Sequence, residues 1–370
     1  MTAAANNNTA AGRGSGFTPG ALAAAPVPPL LGVVLVNFRG AADTIECLES
    51  LLRSTLPMKV VVVENGSGDD SVERLRAWAQ GREVPAIEQS EMAVFSTPPL
   101  PKPVPMAEVA AADVGAGCQG AALVPNFTLI ISPDNLGFAG GNNLGLRHLL
   151  ADRQLSHFWL LNNDTVVAPD AAMALLSRML ATPRVGMCGT VVRHYWHPDR
   201  VQALNGSTYN KYTGSSRSLG GELPATVRYS PQDVADATDF VVGASLAVSR
   251  AFLNDVGLMD EGYFLYFEEI DWATRNRRRG ERAFETAFAH GAAVFHKTGR
   301  AIGSTSAISQ RSAFSDYWLT RSRLKFTWRH HRLLWPLHWL LSWGQALRRL
   351  LRGRPRNAAA VVRAALGRKL

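Results

Sequence analysis

Asp164 closes the apolar run HFWLLNND, which puts a carboxylate at the end of a hydrophobic strand. A carboxylate so placed is a good ligand for a hard cation, Mg²⁺ or Mn²⁺, which keeps waters and takes its other ligands from a diphosphate. The local sequence equally allows Asp164 to cap the next turn through Thr165. A second acidic group, Glu268, Glu269 and Asp271, sits in FLYFEEIDWATR among Phe264, Tyr266, Phe267 and Trp272. On a helix Glu268 and Asp271 share a face, and Asp271 pairs with Arg275 one turn on. A carboxylate amid aromatic rings has a raised pKa and acts as a general base. The competing reading is a solvated helix N-terminus stabilised by its dipole. His296 ends the apolar segment AAVFH, either as a satisfied structural histidine or as a further metal ligand beside Asp164.

These groups need a scaffold, and the sequence supplies an α/β one. Residues 30–37 (LLGVVLVN) and 59–63 (KVVVV) are continuous apolar, β-branched runs, the pattern of strands buried on both faces of a parallel sheet. Helical periodicity follows each, over residues 42–54 and 71–80, giving the β-α-β-α opening of a doubly wound sheet. Residues 84–126 break this rhythm and read as a long insertion, mostly a mobile loop. Strands are expected again at 127–132, 157–161, 185–192 and 240–249, and helices at 142–151, 170–180 and 250–256. Residues 193–238 read as polar and turn-rich. In such sheets ligands bind beyond the carboxyl ends of the strands. The polar strand ends here are Asn37, Glu64-Asn65-Gly66-Ser67 and Asn162-Asn163-Asp164. The first strand runs into Asn37-Phe38-Arg39-Gly40, which fails the GxGxxG dinucleotide fingerprint, and there is no Walker A loop.

The chain has 370 residues, 46% hydrophobic and 19% charged, enough to build a core and too apolar for wholesale disorder. Residues 1–29 are low-complexity and read as disordered, without the pattern of a signal peptide. Cys47, Cys118 and Cys188 are widely spaced, which points to a reducing compartment and no thiolate metal cluster. Residues 321–370 hold 13 Lys and Arg and no acid, whereas the first 320 residues carry 26 basic and 30 acidic groups. A mildly acidic body with a basic tail does not look like a nucleic-acid binder, and none is expected as a partner.

The segments VVLVNFRGAADTIECLESL, VVVVENGSGDDSVE, DNLGFAGGNNLGL, WLLNNDTVVAPD, VGLMDEGYFLYFEEIDWATR and AAVFHKTG occur in the order seen in family-2 glycosyltransferases. The chain resembles most their rhamnosyltransferase-like and galactofuranosyltransferase-like branch, over residues 31–330. The resemblance implies a GT-A type doubly wound mixed sheet, with a Rossmann-like nucleotide-binding half and an acceptor half. It also implies a nucleotide-diphosphate-sugar donor, Mg²⁺ or Mn²⁺, inversion at the anomeric carbon and a part in cell-envelope polysaccharide synthesis. Asn37 and Glu64, with Asn65 beside them, fall where that family contacts the base. Asp134, Asn135, Gly137 and Asn143 fall in its donor loop, and Asn162-Asn163-Asp164 on its DxD metal motif. Glu269 falls on the catalytic Asp, with Asp271 a rival two residues on and Glu268 beside it, and His296 on a ligand histidine found in some members. The metal motif departs from the pattern in having Asn at its first two positions. Glu also replaces the more usual Asp at 64 and 269.

Three functions compete. The first is an inverting transferase moving a sugar, rhamnose by resemblance, to a hydroxyl of a glycan or lipid-linked acceptor. The second is a catalytically degenerate domain whose basic tail binds an anionic surface or nucleic acid. The third, a sugar-1-phosphate nucleotidyltransferase, lacks the Gly-rich basic loop it needs after strand one. No apolar stretch is long enough to span a membrane comfortably. Residues 331–370 read as an amphipathic membrane-associating segment. Trp335, Trp339 and Trp343 recur every four residues, Leu340 and Leu347 widen the stripe, and Arg348, Arg349 and Arg352 flank it. A helix packed on the domain is the competing reading. Membrane association implies a cytoplasmic protein held peripherally on the inner face of an anionic membrane.

Overall fold

The computed structural model describes residues 31–87, 89–115, 126–298 and 311–370. The expected disordered N-terminus therefore lies outside the described residues. In chain order the elements are β1 (Leu31–Asn37), α1 (Ala41–Leu51), β2 (Met58–Asn65), α2 (Ser71–Ala79), β3 (Met106–Ala110), β4 (Phe127–Ser132), α3 (Gly137–Leu150), β5 (His157–Asn162), β6 (Thr165–Val167) and α4 (Ala171–Leu180). They continue with β7 (Val185–His194), β8 (Val201–Leu204), β9 (Gly206–Asn210), β10 (Ser215–Ser218), α5 (Pro231–Ala237), β11 (Phe240–Val241), β12 (Ser245–Ser249), α6 (Arg250–Val256) and α7 (Glu268–Arg277). The chain then runs through β13 (Glu285–His296), α8 (Ala313–His330), α9 (Trp335–Leu351) and α10 (Pro355–Ala365).

The main sheet has the order β3-β4-β2-β1-β5-β12-β7-β13-β6, with β8 paired to β7. From β3 to β5 every pairing is parallel. Beyond β5 the sheet is mixed, because β12 runs antiparallel to both β5 and β7. Side chains of β1 alternate between two apolar layers. Leu31, Val33 and Leu35 pack with α1, α2 and α4, while Val34 packs with α3 and the layer of Phe252, Trp272 and Phe326. This double burial is why β1 and β2 read as unbroken apolar runs. The chain leaves β1 toward β2 on one side and returns to β5 on the other. The topological switch point, where open α/β sheets bind ligands, therefore lies between Asn37 and Asn162.

Four expectations need correction. The insertion at 84–126 is not loop throughout: within its described part, β3 adds an edge strand parallel to β4. The helix expected at 142–151 begins five residues earlier, at Gly137. Gly137 has φ +71°, and a Cβ there would overlap the Phe264 carbonyl, so only glycine permits this start. The single strand expected at 240–249 is split by Val242-Gly243-Ala244, with β11 joining a small antiparallel sheet β10-β9-β11 and β12 the main one. The stretch 193–238, read as turns, supplies that small sheet's other strands, together with β8 and α5.

The C-terminal helices fold back on the domain. Arg349 of α9 reaches Asp316 of α8 at 2.6 Å, and Asn357 of α10 donates to the same carboxylate at 2.7 Å. Arg349 is buried, which sets it apart from Arg348 and Arg352, with which the sequence groups it as a flank of the apolar stripe. The face of α9 turned to the protein carries His338, Ser342, Ala346 and Arg349, which are spaced one turn apart. Its outward face carries Leu337, Leu340, Leu341, Trp343, Leu347 and Leu351. No helix among the described residues is long and apolar enough to cross a membrane.

Candidate active site

Strand register assembles the site. Asn37 pairs with Glu64 across β1 and β2, and Val36 with Asn162 across β1 and β5, so the polar strand ends form one row. Beyond that row lies a cavity of about 570 Å³ lined by Arg39, Asn65, Asn135, Asn142, Asn162, Asn163 and Asp164, with Phe38, Phe138, Phe264 and Phe314 among its apolar walls.

The loops after β1 and β2 interlock. Glu64 Oε1 accepts from the Ser67 backbone N–H at 2.9 Å, and Ser67 Oγ accepts from the Arg39 N–H at 2.9 Å. Asn65 ties β2 to the donor loop, because its Nδ2 donates to Asn135 Oδ1 (3.2 Å) and Gly137 O (3.1 Å) while its Oδ1 accepts from Leu136 N–H (3.1 Å). Thr44 Oγ1 donates to Asn37 Oδ1 at 2.8 Å and accepts from Asn163 Nδ2 at 2.9 Å, joining β1 to the turn after β5. Glu64 is buried, Asp134 is exposed, and neither belongs to the cavity lining.

Asn143 also departs from expectation. Its Oδ1 accepts from Met259 N–H, and its Nδ2 donates to Met259 O and Glu261 Oε1, so it clamps α3 to the chain before α7. Asn142, one residue earlier, lines the cavity in its place. A residue step turns a helix by about 100°, so Phe138 and Asn142 share the cavity face while Asn143 turns away. Arg39, the cation at the rim, was missed by the sequence reading, as was the aromatic wall. Phe264 stacks on Trp318 of α8 with ring centroids 4.5 Å apart.

Asp164 and His296 converge. The β13–β6 ladder sets His296 opposite Thr165, and His296 Nε2 lies 3.1 Å from Asp164 Oδ1. Gln202 Oε1 sits 2.9 Å from His296 Nδ1, and the network assigns the proton to Nδ1. His296 Nε2 faces both the Asp164 carboxylate and the Asn162 amide nitrogen, the latter 3.3 Å away. Two ligands on adjacent corners of an octahedral Mg²⁺ are about 3 Å apart, so this pair fits a divalent metal with Gln202 orienting the imidazole. No third His, Cys, Asp or Glu joins them among the described residues. Next to His296, Lys297 bonds Asp43 and Glu46, each at 2.6 Å. Burial works against its charge, but these two carboxylates hold its pKa above the ordinary lysine value.

The three acids of α7 occupy its first turn, yet their surroundings differ. Asp271 is fully buried and accepts from His330 Nε2 (2.6 Å), Arg275 Nε (2.8 Å) and, more loosely, Arg329 (3.3 Å). Burial alone would raise its pKa, but the His330 and Arg275 hydrogen bonds hold it below the ordinary carboxylate value. It is committed to holding α7 on α8. Glu268 is also buried, with Oε2 unpaired, and burial together with the neighbouring Glu269 charge pushes its pKa well up. Neither is a solvated helix end. Glu269 is half-buried, and burial raises its pKa against the backbone N–H groups of Glu269 and Gly243. Its carboxylate lies beside Gly243 and near Phe138, which lines the cavity.

Fold and site together define a doubly wound α/β protein with its cavity at the switch point. The family model described as "Glycosyl transferase family 2" matches residues 117–229. The low-salt glycan biosynthesis hexosyltransferase Agl10 of Haloferax volcanii is 23% identical over 149 residues, covering 40% of this chain and 46% of that protein. The N-acetylglucosaminyl-diphospho-decaprenol L-rhamnosyltransferase of Mycobacterium tuberculosis is 26% identical over 249 residues, covering 60% of this chain and 75% of that one. Among solved structures, the mannosyltransferase PcManGT from Pyrobaculum calidifontis, in complex with GDP-Man and Mn²⁺, has a TM-score of 0.47 and 14% identity, covering 92% and 87% of the two chains. The chain spans about half the length of the curated relatives it matches first. Over residues 117–229 it is thus similar to family-2 glycosyltransferases.

Proposed function

We propose that the protein is an inverting glycosyltransferase that moves a sugar, rhamnose as first candidate, from a nucleotide-diphosphate donor to a hydroxyl of a glycan or lipid-linked acceptor. The observation that carries this is the convergence of Asp164, His296 and the cavity at the switch point, with Glu269 against the cavity wall. Asn135 and Asn142 offer amide groups to the nucleotide, Asn65 holds the loop that carries Asn135, and Arg39 offers a positive charge at the rim. Asp164 and His296 would hold Mg²⁺ or Mn²⁺, which neutralises charge on the departing diphosphate. Glu269 Oε takes the proton from the acceptor hydroxyl as its oxygen bonds to the anomeric carbon. The bond from that carbon to the diphosphate oxygen breaks on the opposite face, which inverts the centre. The raised pKa of Glu269 makes it a stronger base than a free carboxylate, and this role needs it deprotonated.

The tail fits a peripheral membrane protein. The outward leucines of α9 stand beside a C-terminal segment rich in Arg and free of acids, a combination complementary to an anionic leaflet. On this reading the cavity works near a lipid-linked acceptor. The test of the enzymatic reading is release of nucleoside diphosphate from a panel of nucleotide sugars with Mn²⁺, dTDP-rhamnose included. Release that Asp164→Ala and EDTA both remove supports it. Release unchanged by both refutes the metal assignment, and no release or transfer from any donor refutes the enzyme.

A further inference from the structure

We propose that Gly243 is a positioning residue for the Glu269 carboxylate, and that the two are matched in size. This rests on the reading of Glu269 as general base. Gly243 lies in the tripeptide that divides β11 from β12, where the Ser245 N–H bonds the Val242 carbonyl at 3.2 Å to close a turn. The turn faces two ways. The Ala244 carbonyl accepts from the Asn162 N–H at 3.0 Å, fixing the strand end that leads into Asp164. On the other side the Glu269 carboxylate packs directly against Gly243. A Cβ at position 243 would lie well inside contact with Glu269 Oε1 and 3.2 Å from Phe138 Cζ. Gly243 does not adopt a positive φ, so its backbone would accept alanine. What demands a bare Cα there is the carboxylate.

The group in the way is the tip of a flexible side chain, so alanine is accommodated by pushing the carboxylate back about 1 Å to van der Waals contact. A shift of that size leaves folding nearly untouched, yet misplacing a reacting group by 1 Å costs on the order of 10²-fold in rate. Shortening Glu269 to Asp withdraws the carboxylate by one methylene and makes room for the new methyl group.

The test is a double-mutant cycle on transfer kinetics, with donor binding measured by calorimetry and melting temperature recorded for each variant. Gly243→Ala is expected to lower kcat by about 10²-fold, with donor KM and melting temperature close to wild type. Added to Glu269→Asp, the same Gly243→Ala should change kcat by less than about threefold. Equal losses in the two backgrounds overturn the pairing. So does wild-type kcat in Gly243→Ala when Glu269→Gln is inactive. If Glu269→Gln keeps full turnover, the base assignment itself fails, which is a separate result. If Gly243→Ala alone fails to fold, rescue of its melting temperature by Glu269→Asp supports the pairing, and no rescue overturns it.

Discussion

The outward face of α9 is the feature most open to direct attack. Leu340, Leu347 and Leu351 are 60%, 57% and 80% exposed, together about two whole leucine side chains of apolar surface turned to solvent. Burying one leucine is worth about 1.5–3 kcal/mol, so inserting this surface into a leaflet contributes about 4 kcal/mol. Changing all three to Ser should therefore weaken binding to vesicles of phosphatidylglycerol and phosphatidylcholine by about 10³-fold. Folding should hardly change, because surface substitutions away from special features usually stay within about 0.5 kcal/mol. Salt separates the two contributions. Basic residues near an anionic surface add about 1 kcal/mol each and are screened as ionic strength rises, whereas the leucine contribution persists. The assay is co-sedimentation across a salt series, with melting temperature as the control. A triple variant that folds normally and sediments like wild type at every salt concentration refutes the lipid-facing reading. Wild-type protein that ignores the vesicles and forms an oligomer, which the triple variant disperses, assigns the face to a second copy instead.

The α7 acids separate in their expected behaviour. Glu269→Gln should cut kcat by about 10²–10⁴ while calorimetry shows donor binding intact; loss of donor binding instead would make Glu269 a ligand contact. Asp271→Asn should destabilise the fold by about 3–5 kcal/mol in urea unfolding, because it leaves Arg275 and His330 facing an uncharged partner. The folded state holds Asp271 below its ordinary pKa, so its stabilisation is present above that ordinary value and is lost as pH falls through the folded one; the variant should flatten that acid limb. Glu268 has the opposite sign. Its folded pKa is raised, so the folded state binds more protons and stability falls as pH climbs from the ordinary value near 4.5 toward the raised one. Glu268→Gln should raise the melting temperature near neutral pH and change it little in acid.

The parallel half of the sheet was legible because burial on both faces writes itself as uninterrupted Val, Leu and Ile, and the polar residue that ends each run marks a strand end. β3 was not legible. Met106–Ala110 is an edge strand, half-buried and half-exposed, so it carries no such run. The expected strand over 240–249 failed for a different reason: Val242-Gly243-Ala244 is apolar enough to read as strand, and only the partners reached from either side of the break reveal the turn. Asn143 was chosen from the resemblance and not from helix phase, whereas counting from Gly137 aligns Phe138 with Asn142 on the cavity face. The α9 pattern misled through Arg349. A periodic Trp and Leu stripe signals a face but not its direction, and the direction is set by Asp316, 33 positions away on α8.

Pairing register is the link that turns these local signals into a site. Nothing near Asp164 in the sequence points to His296, 132 positions on, and each alone has a structural explanation. The β13–β6 ladder removes that ambiguity because register is quantised: sliding β13 by one residue would send His296 to the opposite face. The side chains of Val294 and Val192, paired on β13 and β7, are buried in the core and resist such a slip. The Asp164–His296 pair is thus held in place by apolar packing along β13 and its neighbour β7, with the Lys297 ammonium locked between Asp43 and Glu46 just beyond it. On this argument the precision of the Asp164–His296 pair resides in β13, and replacing Val294 with Ala should loosen metal affinity without touching either ligand. A titration of Mn²⁺ by calorimetry decides it: affinity unchanged in a folded Val294→Ala protein would show that the 164–165 turn alone sets the site.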